Sequence, residues 1–440
     1  MKGSVSSTDF DFDRLYEAIV VPHFAQLDQG DERRSNKSLT ISDACKAGFA
    51  IYSLKASSLL DFRPKAAPAE EANLRQCFGI DKIPSDSGLK KLLDTVAAPA
   101  LRGVFAKVYD YLQQHEVIDR YRFHQDYLTV SIDGVHHYSS QKVSCPCCLK
   151  KHHRDGSITY SHSLLSAALV HPQRAEVFVL DNEPIIQQDG ENKNDCERSA
   201  ATRLFSSLAS TLGSQSVVYA LDALYGCAPV IRLITQTSAD WKYVINAKEA
   251  GHKHLFAQFD QRNAEGQVNW RTLRRKDGSY EIGYASKLEL NASNRELSTN
   301  MVILNYRPKQ GESVTFSWMT NLELTADTVM AVTQIGRSRW KIENEVFNTL
   351  KNQQYNFSHN FGHGQRHLAT NFAYLMMLAF TIDQLRQYGS RLFRSIWKGL
   401  KTKKAAWDAI RTVFKMVVCQ SVDELCRKVL DIYQLRMIRV

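Results

Sequence analysis

Residues 337 to 351 read Arg-Ser-Arg-Trp-Lys-Ile-Glu-Asn-Glu-Val-Phe-Asn-Thr-Leu-Lys. The stretch has no Gly or Pro, and Ile342, Val346 and Leu350 recur at helical spacing, which predicts a helix. On a wheel turning about 100° per residue, Ile342, Val346, Leu350, Phe347 and Trp340 share one apolar arc. Arg339 and Glu343 fall inside that arc, while Lys341, Glu345 and Asn348 fall on the wet side. A carboxylate aimed into an apolar face must be paired, metal-bound or protonated. The plain alternative is an ion pair between Arg339 and Glu343, four residues apart. Two further carboxylates upstream bear on that choice.

The first lies at the end of an alternating run. Leu128, Val130 and Ile132 alternate with Thr129, Ser131 and Asp133, a period-two strand whose polar face ends in Asp133. Gly134 follows and gives the chain room to turn and a ligand room to approach. Residues 162–170 and 175–180 read as two more strands, and 193–212 as a helix with Ala200, Leu204 and Leu208 on one face. Val217 to Leu221 is a continuous apolar run, the mark of a central buried strand, and it ends at Asp222. A short helix and a strand over 241–247 follow. Three antiparallel strands extended by parallel strands through helical crossovers make a mixed α/β sheet. In such a sheet the ends of adjacent central strands bring Asp133 and Asp222 together, and a helix packed across them brings in Glu343. Glu345 is a rival third acid, but the wheel turns it toward water.

Three carboxylates at one spot repel one another unless divalent cations fill the cluster. Mg²⁺ or Mn²⁺ suits such oxygen ligands, and a pair of ions can activate an attacking hydroxyl and stabilise the leaving oxygen of a phosphodiester. On that reading Asp133 bridges two ions, Asp222 holds one and Glu343 the other. Arg339 neutralises a phosphate or orients Glu343, and Lys351 touches a nucleic-acid backbone.

Arg-Trp-x-Ile-Glu followed by Phe-x-x-Leu-Lys, with Ile-Asp-Gly and Leu-Asp-Ala-Leu-Tyr upstream, resembles the DDE transposases of bacterial insertion sequences. The resembling group is the cut-and-paste type with a Tyr-Arg-Glu-Lys third-acid pattern and a β insertion in its core. The likeness spans residues 125–380. It implies an RNase H-like fold, Mg²⁺-dependent cleavage at transposon ends with strand transfer into target DNA, and a homodimer on double-stranded DNA. It also implies Asp133, Asp222 and Glu343 as the catalytic, metal-binding triad, with Arg339 and Trp340 contacting the transposon end. Two positions depart from the pattern. Gly336 stands where it has Tyr, and Leu350 where it has Lys, with Lys351 one place later. A metal-dependent nuclease of the same core that does not join ends, and a non-catalytic DNA-binding descendant, are the alternatives.

The expected layout is a helical DNA-binding part over 1–120, core segments over 121–248 and 326–383, a β-rich insertion over 249–325, and a basic helical region over 384–440. In the first part, a helix opening at Ser85 carries Lys90 and Lys91, candidates for DNA contact. Another helix is expected from Leu101 to Gln114. The insertion carries Lys253, Arg262, Arg271, Arg274, Arg275 and Lys276 beside Trp270, a mixture suited to phosphate contact and base stacking or simply to a solvated surface. The 440 residues carry a net charge of +10, and nine Lys/Arg against the single acid Asp408 lie between Arg386 and Lys415. That local +8 points to a polyanion, although a solvated helix surface has the same composition.

Nothing resembles a signal peptide. The longest apolar run, Leu368 to Ile382, is too short to span a bilayer and reads as a buried helix. No membrane partner is expected, and the nine scattered cysteines suit a reducing, cytoplasmic setting, here nucleoid-associated. Cys145 and Cys148 have the spacing of a zinc knuckle, with His152, His153 and His162 downstream; Cys145, Cys148, His152 and His162 are the candidate zinc ligands, and reduced loop cysteines the alternative. His359, His363 and His367 are four apart, but Gly362 and Gly364 argue against one regular helix and toward structural or DNA-backbone roles. Glu183, Asp195 and Glu197 are candidates to support the acidic site from behind.

Overall fold

The computed structural model describes residues 6–33, 38–63, 68–187 and 193–438. Eleven strands form one sheet: β1 (Arg122–Phe123), β2 (Tyr127–Ser140), β3 (Leu149–His152), β4 (Ile158–Val170), β5 (Phe178–Ile185), β6 (Val217–Leu221), β7 (Trp241–Asn246), β8 (Asn269–Arg275), β9 (Gly278–Glu289), β10 (Ser298–Pro308) and β11 (Val314–Thr320). The main path runs β3-β4-β2-β6-β7-β11-β10-β9-β8, with β5 and β1 pairing β4 and β2. β4 pairs antiparallel with both β2 and β5, while β6 joins β2, and β7 joins β6, in parallel. The connections from β5 to β6 and from β6 to β7 are the helices Lys193–Leu212 and Ala228–Thr237, as parallel pairing requires. This is the mixed α/β sheet expected from the sequence.

Strand β2 departs from the expectation in two ways. β2 does not turn at Gly134 but runs on to Ser140. Its polar face is buried too, because Thr129 and Ser131 are fully enclosed, and Ser131 Oγ donates to the Arg339 carbonyl at 3.1 Å. The β-rich insertion is continuous with the core sheet. β11 pairs antiparallel with β7, so β8–β11 widen the core sheet, and the insertion also holds a helix, Lys253–Ala264.

The apolar run becomes the helix Leu368–Gly389, buried on every side for most of its length. It lies against helix Ile41–Ser53 and against β5. Asp383 on this helix meets Lys55 at 2.6 Å, Arg386 at 3.3 Å and the Tyr355 hydroxyl at 2.7 Å, so its charge is satisfied in the interior. Residues 1–120 and 384–440 do not stand apart as two units. Asp423 accepts the backbone N–H groups of Phe12 and Asp13, and Asn73 donates to the carbonyls of Phe414 and Val417. The helix expected from Leu101 to Gln114 is divided at Gly103 into Ala98–Arg102 and Val104–Gln114. Among the described residues no helix is long and apolar enough to cross a membrane.

Candidate active site

β2 and β6 are parallel, with Ser131 opposite Ala220. Two residues further along stand Asp133, inside β2, and Asp222, just past the end of β6, so continuing the register sets them on the same side of neighbouring strands. Residues paired this way point to the same face of the sheet. That face is covered by helix Val329–Ser338, whose Val332 and Ile335 pack on Val218 and Ala220. The chain continues from this helix into the turns that carry Glu343.

Those turns are not regular α-helix. Ile342–Phe347 is wound as a π-helix before Asn348–Asn352 returns to α geometry. The wider winding spoils a wheel drawn at constant angle. Ile342, Val346, Phe347 and Leu350 are buried as expected, and Arg339 is buried with them. Trp340 instead lies outside the apolar arc, 46 % exposed, with the Arg339 guanidinium 4.9 Å from its ring centre. The Glu343 side chain is 43 % exposed, so it lines an open rim and not the interior.

Arg339 links the acids. One of its terminal nitrogens lies 3.4 Å from Asp133 Oδ2 and the other 3.8 Å from Glu343 Oε2. Its Nε is a buried donor with no acceptor among the described residues. Asp133 Oδ1 also accepts the Gly134 N–H at 2.9 Å. Burial pushes the Asp133 carboxyl up to about 6; Arg339 and the Gly134 N–H oppose the rise, and the charges of Glu197 and Glu343 add to it. Asp222 faces Lys248 at 3.9 Å.

Glu197, considered from sequence only as support, is the fourth acid of the group. Its Oε1 accepts the buried Tyr225 hydroxyl at 2.8 Å, and its Oε2 would lie 3.2 Å from a Cβ at position 134. Gly134 therefore makes room for a carboxylate, not for a turn. Tyr225 is held well above its ordinary range, first by burial and then by Glu197, Asp133 and Asp222. One phenol thus senses three of the acids. Glu183 belongs elsewhere: it pairs with Arg102 and, at 2.5 Å, with Arg203. The Asp195 side chain lies outside the described residues.

Gly336, which departs from the family pattern, has a physical reason. A Cβ there would overlap the buried indole of Trp318, so no larger side chain fits. Leu350, the other departure, is buried in the core, and Lys351 is exposed one place on. Lys91 is exposed, whereas Lys90 is half-buried with its stem near Gly362. The basic C-terminal block is partly neutralised within the protein. Arg386 pairs with Asp383, Arg411 with Asp61, and Lys415 with Asp61 and Glu70. In the insertion, Arg262 donates to the carbonyls of Ser286 and Lys287, but Arg274, Arg275 and Lys276 are exposed at the outer edge of the sheet, at the end of the strand that carries half-exposed Trp270.

The cysteine motif gathers a different set of partners from the expected one. Cys145, Cys148 and His162 come together as the sequence suggested, but the fourth member is His363, and His152 lies exposed on β3. All four gathered side chains are buried.

No protein-family model matches this sequence, and no curated protein matches it. Among solved structures, the chain is similar to one in a cryo-EM structure of the piggyBac transposase synaptic complex with hairpin DNA. The TM-score is 0.42 at 11% identity, covering 98% of this chain and 83% of that one. At that score the likeness assigns no activity.

Proposed function

We propose that this chain is a DDE-type DNA transposase with an RNase H-like core, cutting at transposon ends and joining them to target DNA. The observation that supports the reading is that Asp133 and Glu343, from distant parts of the chain, both face the buried Arg339. Asp133 feels the charges of Glu197 and Glu343, and Asp222 follows the neighbouring strand, so four carboxylates are opposed by Arg339 and Lys248. The donors are all carboxylate oxygens, the chemistry that Mg²⁺ and Mn²⁺ select. Asp133, Asp222 and Glu343 would hold the metal. The chemistry that two such ions supply when bound is activation of a hydroxyl nucleophile and charge relief on the leaving oxygen of a phosphodiester.

The chain's own groups do the positioning. Arg339 holds Asp133 and Glu343 in orientation from below. Buried as it is, Arg339 acts from beneath the acids, so exposed Trp340 and Lys351 are the better candidates for direct contact with a DNA end. Glu197 fixes Tyr225 and walls the back of the site. The exposed Arg274, Arg275 and Lys276, at the end of the strand that carries Trp270, offer phosphate contact at the far sheet edge. Two transposon ends must be paired for joining, so a homodimer on double-stranded DNA is part of the proposal.

The test incubates the protein with its own flanking DNA and Mg²⁺, wild type beside Glu343→Gln. Cleaved ends and joined products are expected from the wild type and neither from the variant. Cleavage without joining would replace the transposase with a nuclease, and normal cleavage by the variant would remove Glu343 from the chemistry.

A further inference from the structure

We propose that Cys145, Cys148, His162 and His363 form a closed structural zinc site that ties the linker after the Glu343 helix to the strands beside Asp133. The distances carry this. The two sulfurs lie 3.7 Å apart, the two imidazole Nε2 atoms 3.1 Å apart, and three sulfur–nitrogen separations are 3.3, 3.3 and 3.4 Å. A tetrahedral zinc ion with Zn–S of about 2.3 Å and Zn–N of about 2.05 Å would set the corresponding edges at ~3.8, ~3.3 and ~3.5 Å. The four donors therefore already sit near the corners of the polyhedron the ion prefers. A disulfide does not explain the pair of cysteines, because their sulfurs are far beyond the bonding distance of about 2.05 Å.

The surroundings fit a thiolate–imidazole centre. The Cys145–Cys148 turn closes through Cys148 N–H to the Cys145 carbonyl at 3.1 Å, and the Cys145 N–H points at Cys148 Sγ at 3.4 Å, a donor that favours a charged sulfur. His363 Nδ1 lies 2.8 Å from the Gly364 carbonyl; donating there, it leaves the Nε2 lone pair for the metal. With four protein ligands, all buried, no position is open to substrate, which separates a structural from a catalytic zinc.

The position gives the site its consequence. His162 stands opposite Tyr138 on β2, the strand that carries Asp133. His363 lies between the helix of Glu343 and the central helix Leu368–Gly389. Immediately after it, Asp94 accepts four backbone N–H groups, from Gln365, Arg366, His367 and Leu368, so the linker is fixed on both sides. The metal would hold in register the two segments whose acids meet 3.4 and 3.8 Å from Arg339. None of this depends on the transposase reading.

The test is metal analysis of the full-length protein, purified without chelator, and Co²⁺ uptake by reduced, metal-stripped protein. About one zinc per chain is expected, with the visible spectrum of tetrahedral Co²⁺ bound to two thiolates and displaced by Zn²⁺. His363→Ala is expected to lose the zinc and to lower the melting midpoint, while His152→Ala keeps both. No zinc in the purified protein together with no Co²⁺ uptake would overturn the site, and needs no variant to fold. Zinc retained by His363→Ala but lost from His152→Ala would overturn the ligand set.

Discussion

Asp133→Asn should make the metal-free protein more stable while disabling the site. Burial and two neighbouring acids raise the Asp133 carboxyl from its ordinary 3.8 to about 6, despite Arg339 at 3.4 Å. Keeping it ionised at neutral pH therefore costs the folded state up to ~3 kcal/mol relative to the unfolded chain, where the group titrates normally. An amide of the same shape can still accept the Gly134 N–H, and Arg339 retains Glu343. Some of the gain is lost with the Asp133–Arg339 attraction, which leaves ~1–3 kcal/mol. The sign with pH follows. Between about 4 and 6 the folded wild type binds more protons than the unfolded chain, so wild-type stability falls as pH rises through that window. The variant's advantage should be full above pH ~6 and vanish below pH ~4. Urea unfolding of both proteins in Mg²⁺-free buffer across that range measures it. Mg²⁺ at about ten times its dissociation constant should add ~1.4 kcal/mol to the wild type alone. A variant less stable at neutral pH, or an advantage independent of pH, would refute the reasoning.

Three further outcomes follow from the packing. Gly336→Ala gains ~1 kcal/mol of helix propensity but drives a methyl into the rigid, buried Trp318 indole, so a net loss of ~1–2 kcal/mol is expected in thermal or urea unfolding. Asp383→Asn leaves Lys55 and Arg386 buried without their anion and should cost ~3–5 kcal/mol, with a smaller loss at alkaline pH where Lys55 can shed its proton. Asp94→Ala frees four N–H groups at the start of the central helix and should cost ~1–2 kcal/mol. Burial raises the Asp94 carboxyl, but those four bonds outweigh it and hold it below its ordinary value. Its stabilising effect is thus present above pH ~4 and fades as the carboxyl protonates, so wild type and variant should converge in acid unfolding curves.

Local patterns were legible where one interaction dominates. The apolar run Val217–Leu221 and the helix Lys193–Leu212 have the extents their patterns predict, because full burial and a 3.6-residue period leave little choice. Gly134 suggests a turn at which β2 would end, but the strand runs on to Ser140, and alternation suggests a wet face where Thr129 and Ser131 are buried. The exposure of Trp340 and Glu343 was hidden by the π winding, which no residue type announces. Glu197 was seen as an acid near the right place, but its role depends on Gly134 lacking a side chain. His363 lies 201 residues from His162, and spacing rules cannot reach across the fold that joins them. Charge counts overstated the basic surface, since several of those cations are matched by acids distant in sequence, such as Asp61.

The central claim is that carboxylates from three distant segments jointly hold divalent ions. Titration with Mn²⁺, followed by calorimetry or by electron paramagnetic resonance of the free ion, tests it in wild type, Asp133→Asn, Asp222→Asn and Glu343→Gln. Saturable binding by the wild type, abolished in Asp133→Asn and weakened about tenfold or more in the other two, is the expected result. Equal Mn²⁺ affinity in all four proteins would contradict it.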